Sequence, residues 1–177
     1  GDADQLLNTF GALLRIARIE AGGHRARRVA VDLGALVTDA ADLYGAVAEE
    51  RALTLDTLTS GAPLVQGDRD LLFQALVNLV DNAVKYTPRG GRVTLQAGVI
   101  DGAAFLRVAD SGPGIPAVDR EKVLERFYRL ERSRSTPGSG LGLSLVAAVA
   151  QAHQAVLLLE DSSPGLRVTM RFDETTA

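Results

Sequence analysis

Cysteine and tryptophan are both missing from this sequence of 177 residues, and methionine occurs once. Without thiols there is no disulfide, no thiolate metal centre and no cysteine nucleophile. Histidine is nearly as scarce: only His24 and His153 are present, which excludes a metal site built from several imidazoles. Aromatics make up 5% of the residues, so any core has to be packed chiefly from Leu, Val and Ala. Charge of one sign is lacking too. Nineteen Lys and Arg against 22 Asp and Glu leave a formal net charge of −3. That balance offers no broad attraction for nucleic acid or for an anionic membrane surface. The most apolar stretch, Leu141 to Leu159, is interrupted by Ser144, Gln151, His153 and Gln154 and does not read as a membrane span. The opening residues do not predict a signal peptide. If the parent protein is membrane-bound, its anchor is expected outside this piece.

What is present suits one domain with a short appendage. The hydrophobic fraction is 46%, ordinary for a globular chain long enough to bury a full core. Residues 4–20 carry Leu6, Leu7, Phe10, Leu13, Leu14, Ala17 and Ile19 near helical spacing, and "AGG" at 21–23 ends that helix. The helix is either an appendage or the first helix of the core. "RRVAVDL" predicts a short strand, residues 33–50 a helix, "LTLDTL" a strand and "SGAP" a turn. Asp68 is placed to cap a helix over 69–86, which "TPRGG" closes. "RVTLQAGVI" and "AAFLRVAD", joined by "DG", predict a β-hairpin. A weak helix is expected near 118–127, a polar stretch over 131–140, a smooth helix over 141–151, and a last hairpin from "AVLLLED" and "LRVTMRF". Helices mixed with hairpins, rather than strict βαβ alternation, favour an α+β fold: helices on one face of a mostly antiparallel sheet.

Within the 69–86 helix, "NLVDNAVKYT" raises a chemical question, because Asn is a poor helix former. Counted from Gln74, the residues Asn78, Asp81, Asn82 and Lys85 lie at offsets 4, 7, 8 and 11, one stripe on an otherwise apolar helix. A solvated edge fits that geometry, but Glu, Lys or Gln would build it with better helix formers. Asn oxygens are hard neutral donors suited to Mg²⁺, and a Lys one turn on offers a point charge for phosphate.

Two glycine loops follow. In "ADSGPGIP", Asp110 stands where a strand ends and Gly112 and Gly114 permit unusual backbone; a plain tight turn would look the same. "TPGSGLGLSLV" spaces Gly138, Gly140 and Gly142 as G-x-G-x-G ahead of a helix. It is neither a dinucleotide fingerprint nor a P-loop. A helix N-terminus with free amides nevertheless attracts anions. Between the loops, Arg126, Arg129, Arg132 and Arg134 crowd a short run.

Taken in order, these motifs resemble those of the catalytic and ATP-binding domain of sensor histidine kinases. The wider superfamily contains the gyrase, heat-shock chaperone, histidine kinase and mismatch-repair ATPases. "NLVDNAVKYT" resembles the N box, "DSGPGI" the first glycine box, "RFYR" the F box and "GSGLGLSLV" the second glycine box. With "ALLRIARIEAG" the resemblance spans nearly the whole chain. It implies a two-layer α/β sandwich of the Bergerat type. It also implies that residues 1–23 end the second helix of a dimerisation and phosphoacceptor hairpin, and that residues 24–177 are the catalytic domain.

The implied roles are specific. Asn82 coordinates Mg²⁺, Asn78 supports the metal and phosphates, Lys85 contacts phosphate, and Tyr86 lies against the nucleotide. Asp110 accepts a hydrogen bond from the adenine amino group, with Gly112 and Gly114 shaping the pocket floor and Ile115 near the base. Phe127 seats a mobile lid over about 116–139, and Arg129 approaches the terminal phosphate. Ser139, Gly140, Leu141, Gly142 and Leu143 cover the phosphates. Hydrolysing members of the superfamily usually carry Glu where this chain has Asn78, so the resemblance implies transfer of the γ-phosphoryl group of ATP to a protein histidine. That acceptor lies on a helical hairpin absent from this chain; neither His24 nor His153 matches its motif. Partners implied are that hairpin and the receiver domain of a response regulator, within a homodimeric parent whose cytoplasmic domain this is. A nucleotide-binding module without kinase activity, or a related ATPase or serine kinase, is the alternative. One departure stands out: the family usually has His-Gly-Gly after the last helix, and here it is His153, Gln154 and Ala155. A left-handed conformation at Gln154 would be strained.

Overall fold

The computed structural model describes residues 2–21, 28–120 and 142–173. Its middle helix, α3 (Arg69–Tyr86), begins where expected: the Asp68 carboxylate accepts from the amides of Asp70 at 3.0 Å and Leu71 at 3.2 Å. Such a cap stabilises a helix by about 1 kcal/mol. Asp32 does the same for α2 (Leu33–Glu50), accepting from Gly34 at 2.9 Å. The apolar face of α3 buries Leu72, Ala75, Leu76, Leu79, Val80, Ala83 and Val84. Each large side chain taken from water contributes roughly 1.5–3 kcal/mol, which outweighs the poor helix propensity of Asn78 and Asn82.

Among the described residues seven strands complete the fold: β1 (Val29–Asp32), β2 (Thr54–Thr59), β3 (Leu64–Gly67), β4 (Arg92–Ile100), β5 (Ala103–Asp110), β6 (Val156–Asp161) and β7 (Leu166–Phe172). The main sheet runs β2-β4-β5-β7-β6, with β2 and β4 parallel and every other pair antiparallel. The expected hairpins are β4–β5 and β6–β7. Strand β3 is an addition to the sequence reading: it pairs antiparallel with β1 in a separate two-stranded sheet, Val31 opposite Val65. Alternate residues along the neighbouring strands β4, β5 and β7, among them Val93, Leu95, Leu106, Val108, Val168 and Met170, form one core with the helices. Helix α3 packs between α2 and α4 (Gly142–Ala152), all on the same face, as the α+β reading requires. On the outer sheet face Arg107 lies over the buried Phe105 ring at 4.7 Å and donates to Thr169 Oγ1 at 2.9 Å.

Helix α1 (Asp2–Glu20) packs on α4, but unevenly. Ile16 and Ile19 are buried in the core, while Leu6, Leu7, Phe10 and Leu14 are exposed. Among the described residues no helix is long and apolar enough to cross a membrane.

The turn after α4 takes the conformation the sequence made suspect. Gln154 has φ +57°, left-handed for a residue with a Cβ. His153 beside it is buried and holds a structural post. Its Nδ1–H donates to the Val149 carbonyl at 2.8 Å, and its Nε2 accepts from the Asp68 amide at 3.0 Å. One imidazole thus ties the end of α4 to the start of α3. Residue 67 has to be glycine for this, since a Cβ there would lie 2.6 Å from His153 Cδ2. Of the weak helix expected near 118–127, Ala117–Asp119 form a single 3-10 turn and 121–127 lie outside the described residues.

Candidate functional site

The predicted site residues that the structure describes lie on three elements: the second half of α3, the end of β5 with its glycine turn, and the start of α4. On α3 the residues Asn78, Asp81, Asn82, Lys85 and Tyr86 are all half-buried, flanked by the fully buried Leu79, Val80, Ala83 and Val84. Asn78 and Asn82 make no side-chain hydrogen bond to any described residue. These two amides, one turn apart, reach solvent with no partner among the described residues and are open to a ligand. The stripe is not uniform, however. Asp81 is engaged on both oxygens: the Tyr44 hydroxyl of α2 donates to Oδ1 at 3.1 Å, and Lys85 Nζ lies 3.0 Å from Oδ2.

Asp110 closes β5 opposite Val93. Its Oδ1 accepts from the Gly112 amide at 2.9 Å and from the Leu166 amide at 3.3 Å, leaving Oδ2 for another donor. Burial pushes its carboxyl above the usual carboxylate range, and the two amides pull partly against that shift. A partly buried carboxylate kept short of donors suits a ligand that brings one, such as an exocyclic amine.

The glycines fix how closely these pieces approach. A Cβ on Gly112 would lie 3.0 Å from the Tyr86 carbonyl oxygen, so the turn rests on the end of α3. Gly114, at φ +74°, would place a Cβ 2.9 Å from the Gly165 carbonyl oxygen. Gly165 is a site residue that sequence reading missed. At φ +108°, its Cβ would fall 1.8 Å from the Asp110 carbonyl oxygen. The "SSPG" turn signalled a hairpin but could not show which strand end it would touch. Beneath Gly112, Thr87 is buried, and its Oγ1 has no partner among the described residues.

Ile115 is half-buried in the same turn, and Leu143 packs against the core near the start of α4, which contacts α3. Gly142 is the first residue of α4. Phe127, Arg129, Ser139, Gly140 and Leu141, with most of the expected lid, lie outside the described residues, as does His24. No group of three or more His, Asp or Glu is placed to hold a metal among the described residues. The donors present suit instead a hard cation that arrives with phosphate oxygens and water and takes one or two protein ligands.

Comparison with known proteins identifies the family and the fold. Residues 67–176 match the family described as histidine kinase-, DNA gyrase B-, and HSP90-like ATPase. The signal transduction histidine-protein kinase/phosphatase MprB of Mycobacterium leprae is 46% identical over 104 residues, 58% of this chain and 20% of that protein. The sensor-like histidine kinase SenX3 of Mycolicibacterium smegmatis is 34% identical over 166 residues, 93% of this chain and 43% of that protein. The chain therefore spans less than half the length of these relatives. Full-length ShkA, solved in complex with AMPPNP, superposes with a TM-score of 0.85 at 30% identity, covering 99% of this chain and 37% of that one.

Proposed function

This chain belongs to the histidine kinase-, DNA gyrase B-, and HSP90-like ATPase family, and we propose that it is the ATP-binding catalytic domain of a two-component sensor kinase. In this reading it transfers the γ-phosphoryl group of Mg-ATP to a histidine on a helical hairpin, for relay to a response regulator. Residues 1–23 would be the end of that hairpin, and the parent a homodimer with this domain in the cytoplasm below a membrane anchor.

The uncommitted pair Asn78 and Asn82 on α3, together with a partly buried Asp110 whose glycine turn rests on the end of the same helix, carries the proposal. Asp110 Oδ2 receives the adenine amino group, and the Gly112–Gly114 turn lets the base lie against backbone. Asn82 offers Oδ1 to Mg²⁺, with Asn78 beside it, and Lys85 brings its ammonium to the phosphates. Bound Mg²⁺ would supply charge neutralisation on the phosphoryl oxygens. An amide at position 78 cannot abstract a proton, so no residue there activates water for hydrolysis. An imidazole acceptor is already nucleophilic, which leaves positioning and electrostatics as the domain's task. Tyr86 borders the base, while Phe127, Arg129 and Ser139–Leu143 would complete the phosphate side.

Two measurements test this. Calorimetry with millimolar Mg-ATP is expected to show association, and Asn82→Ala to weaken it by about 10-fold or more, the scale of one lost charge-assisted contact. Labelled phosphate is expected to move from ATP to a hairpin domain supplied separately. A folded sample with no heat of binding sinks the proposal; tight binding without transfer would instead support the nucleotide-binding module.

A further inference from the structure

Asp81 is a charged member of the α3 edge to which the nucleotide reading gives no task. It stands between Asn78 and Asn82 in sequence but on the side of the stripe that meets α2. Both of its oxygens are occupied, one by Tyr44 at 3.1 Å and one by Lys85 at 3.0 Å. A second tether runs in parallel, as Arg51 Nη2 donates to the Lys85 carbonyl oxygen at 3.2 Å. Helix α2 and its C-cap residue Arg51 thus grip residue 85 twice, at its side chain through Tyr44 and Asp81 and directly at its backbone.

We propose that Asp81, held by Tyr44, is a positioning residue for Lys85, keeping its ammonium on the edge of α3 that receives the nucleotide's phosphates. The inference rests on Lys85 being a phosphate contact. Three points support holding rather than sequestration. Asp81 and Lys85 side chains keep 38% and 37% exposure, so their attraction is screened and weak. A triphosphate with several charges therefore takes the ammonium over. The acid precedes the base by four residues, the favourable direction along a helix. A lysine already confined loses less side-chain freedom on meeting phosphate than one sampling solvent. Burial, with Asp81's charge and hydrogen bond adding to it, pushes the Tyr44 hydroxyl above its ordinary range, so it remains a donor at neutral pH.

The test is calorimetry on the whole chain with Mg-ATP and, separately, adenosine. Asp81→Asn is expected to raise the Mg-ATP dissociation constant on the order of three- to tenfold and leave adenosine unchanged. Tyr44→Phe should act in the same direction but less, and should add nothing to Asp81→Asn. In a Lys85→Ala background, Asp81→Asn should have no further effect. Unchanged or tighter Mg-ATP binding by Asp81→Asn overturns the proposal. So does equal weakening of adenosine, or an undiminished effect without Lys85. If Lys85→Ala weakens Mg-ATP while Asp81→Asn does not, the positioning role alone fails. If Lys85→Ala changes nothing, the phosphate contact fails and this inference with it.

Discussion

Asp110 is caught between folding and binding. Its carboxyl is raised chiefly by burial, so without a ligand the ionised form costs the folded chain stability. The sign follows from linkage. Below the unfolded aspartate value, about 3.9, both states are neutral and the cost is absent. As pH rises through the folded value, the unfolded state has already ionised and that stability is lost. Asp110→Asn removes this loss, while the amide oxygen can still accept from Gly112 and Leu166. The nucleotide-free Asp110→Asn variant should therefore melt at or above the parent's temperature at pH 7, and the gap should close as pH falls toward 4. Binding should move the other way. With the amide oxygen committed to the two backbone N–H groups, the atom left facing the adenine amine becomes an NH₂, a donor against a donor. Mg-ATP affinity should fall about 10- to 100-fold, and the preference for ATP over GTP should shrink, because guanine presents an acceptor there. A melting temperature below the parent's, or an intact ATP preference, contradicts this account.

Helix ends show how far local signals carry. The turn after α4 follows His153 with Gln154 at φ +57°. A left-handed residue with a Cβ costs roughly 1–2 kcal/mol, offset in part by the greater freedom that glycine has when unfolded. Gln154→Gly should accordingly raise stability by about 0.5–1 kcal/mol, read as a shift in the urea midpoint with unchanged slope. No shift would mean the turn relaxes without strain. This turn was legible because a helix must stop there and the residue at its stop is the wrong type. Asp68 and the oily faces of α3 were legible for the same reason: cap, period and side-chain chemistry sit within one element. Asn78 and Asn82 stood out because the helix around them needed no amides. What escaped was pairing across elements. Strand β3 has four residues and no alternation. The parallel partner of β2 is set by a register 38 positions away, Thr54 with Arg92. Tyr44 meets Asp81, 37 positions on, only because α2 packs on α3. Gly165 matters to Asp110 only because β7 lies beside β5. Each is fixed by packing, which a single sequence does not print.

At the scale of the whole chain, α1 is the element whose two halves differ in kind. Its first turns show Leu6, Leu7, Phe10 and Leu14 to solvent, whereas Ile16 and Ile19 are 1% and 4% exposed and belong to the core around α4. Burying two isoleucines contributes roughly 3–6 kcal/mol, an upper estimate because an unfolded chain already hides some apolar surface. Against a total stability of about 5–15 kcal/mol for a domain, that share is large. The two ends of the helix can therefore be separated by truncation. A chain begun at residue 11 should keep nearly all of its stability to urea and should bind Mg-ATP unchanged. A chain begun at residue 24 should lose several kcal/mol or fail to fold, because α4, on which α1 packs, then presents apolar surface to water. Equal stability of the two shortened chains would mean that Ile16 and Ile19 rest on the core without supporting it.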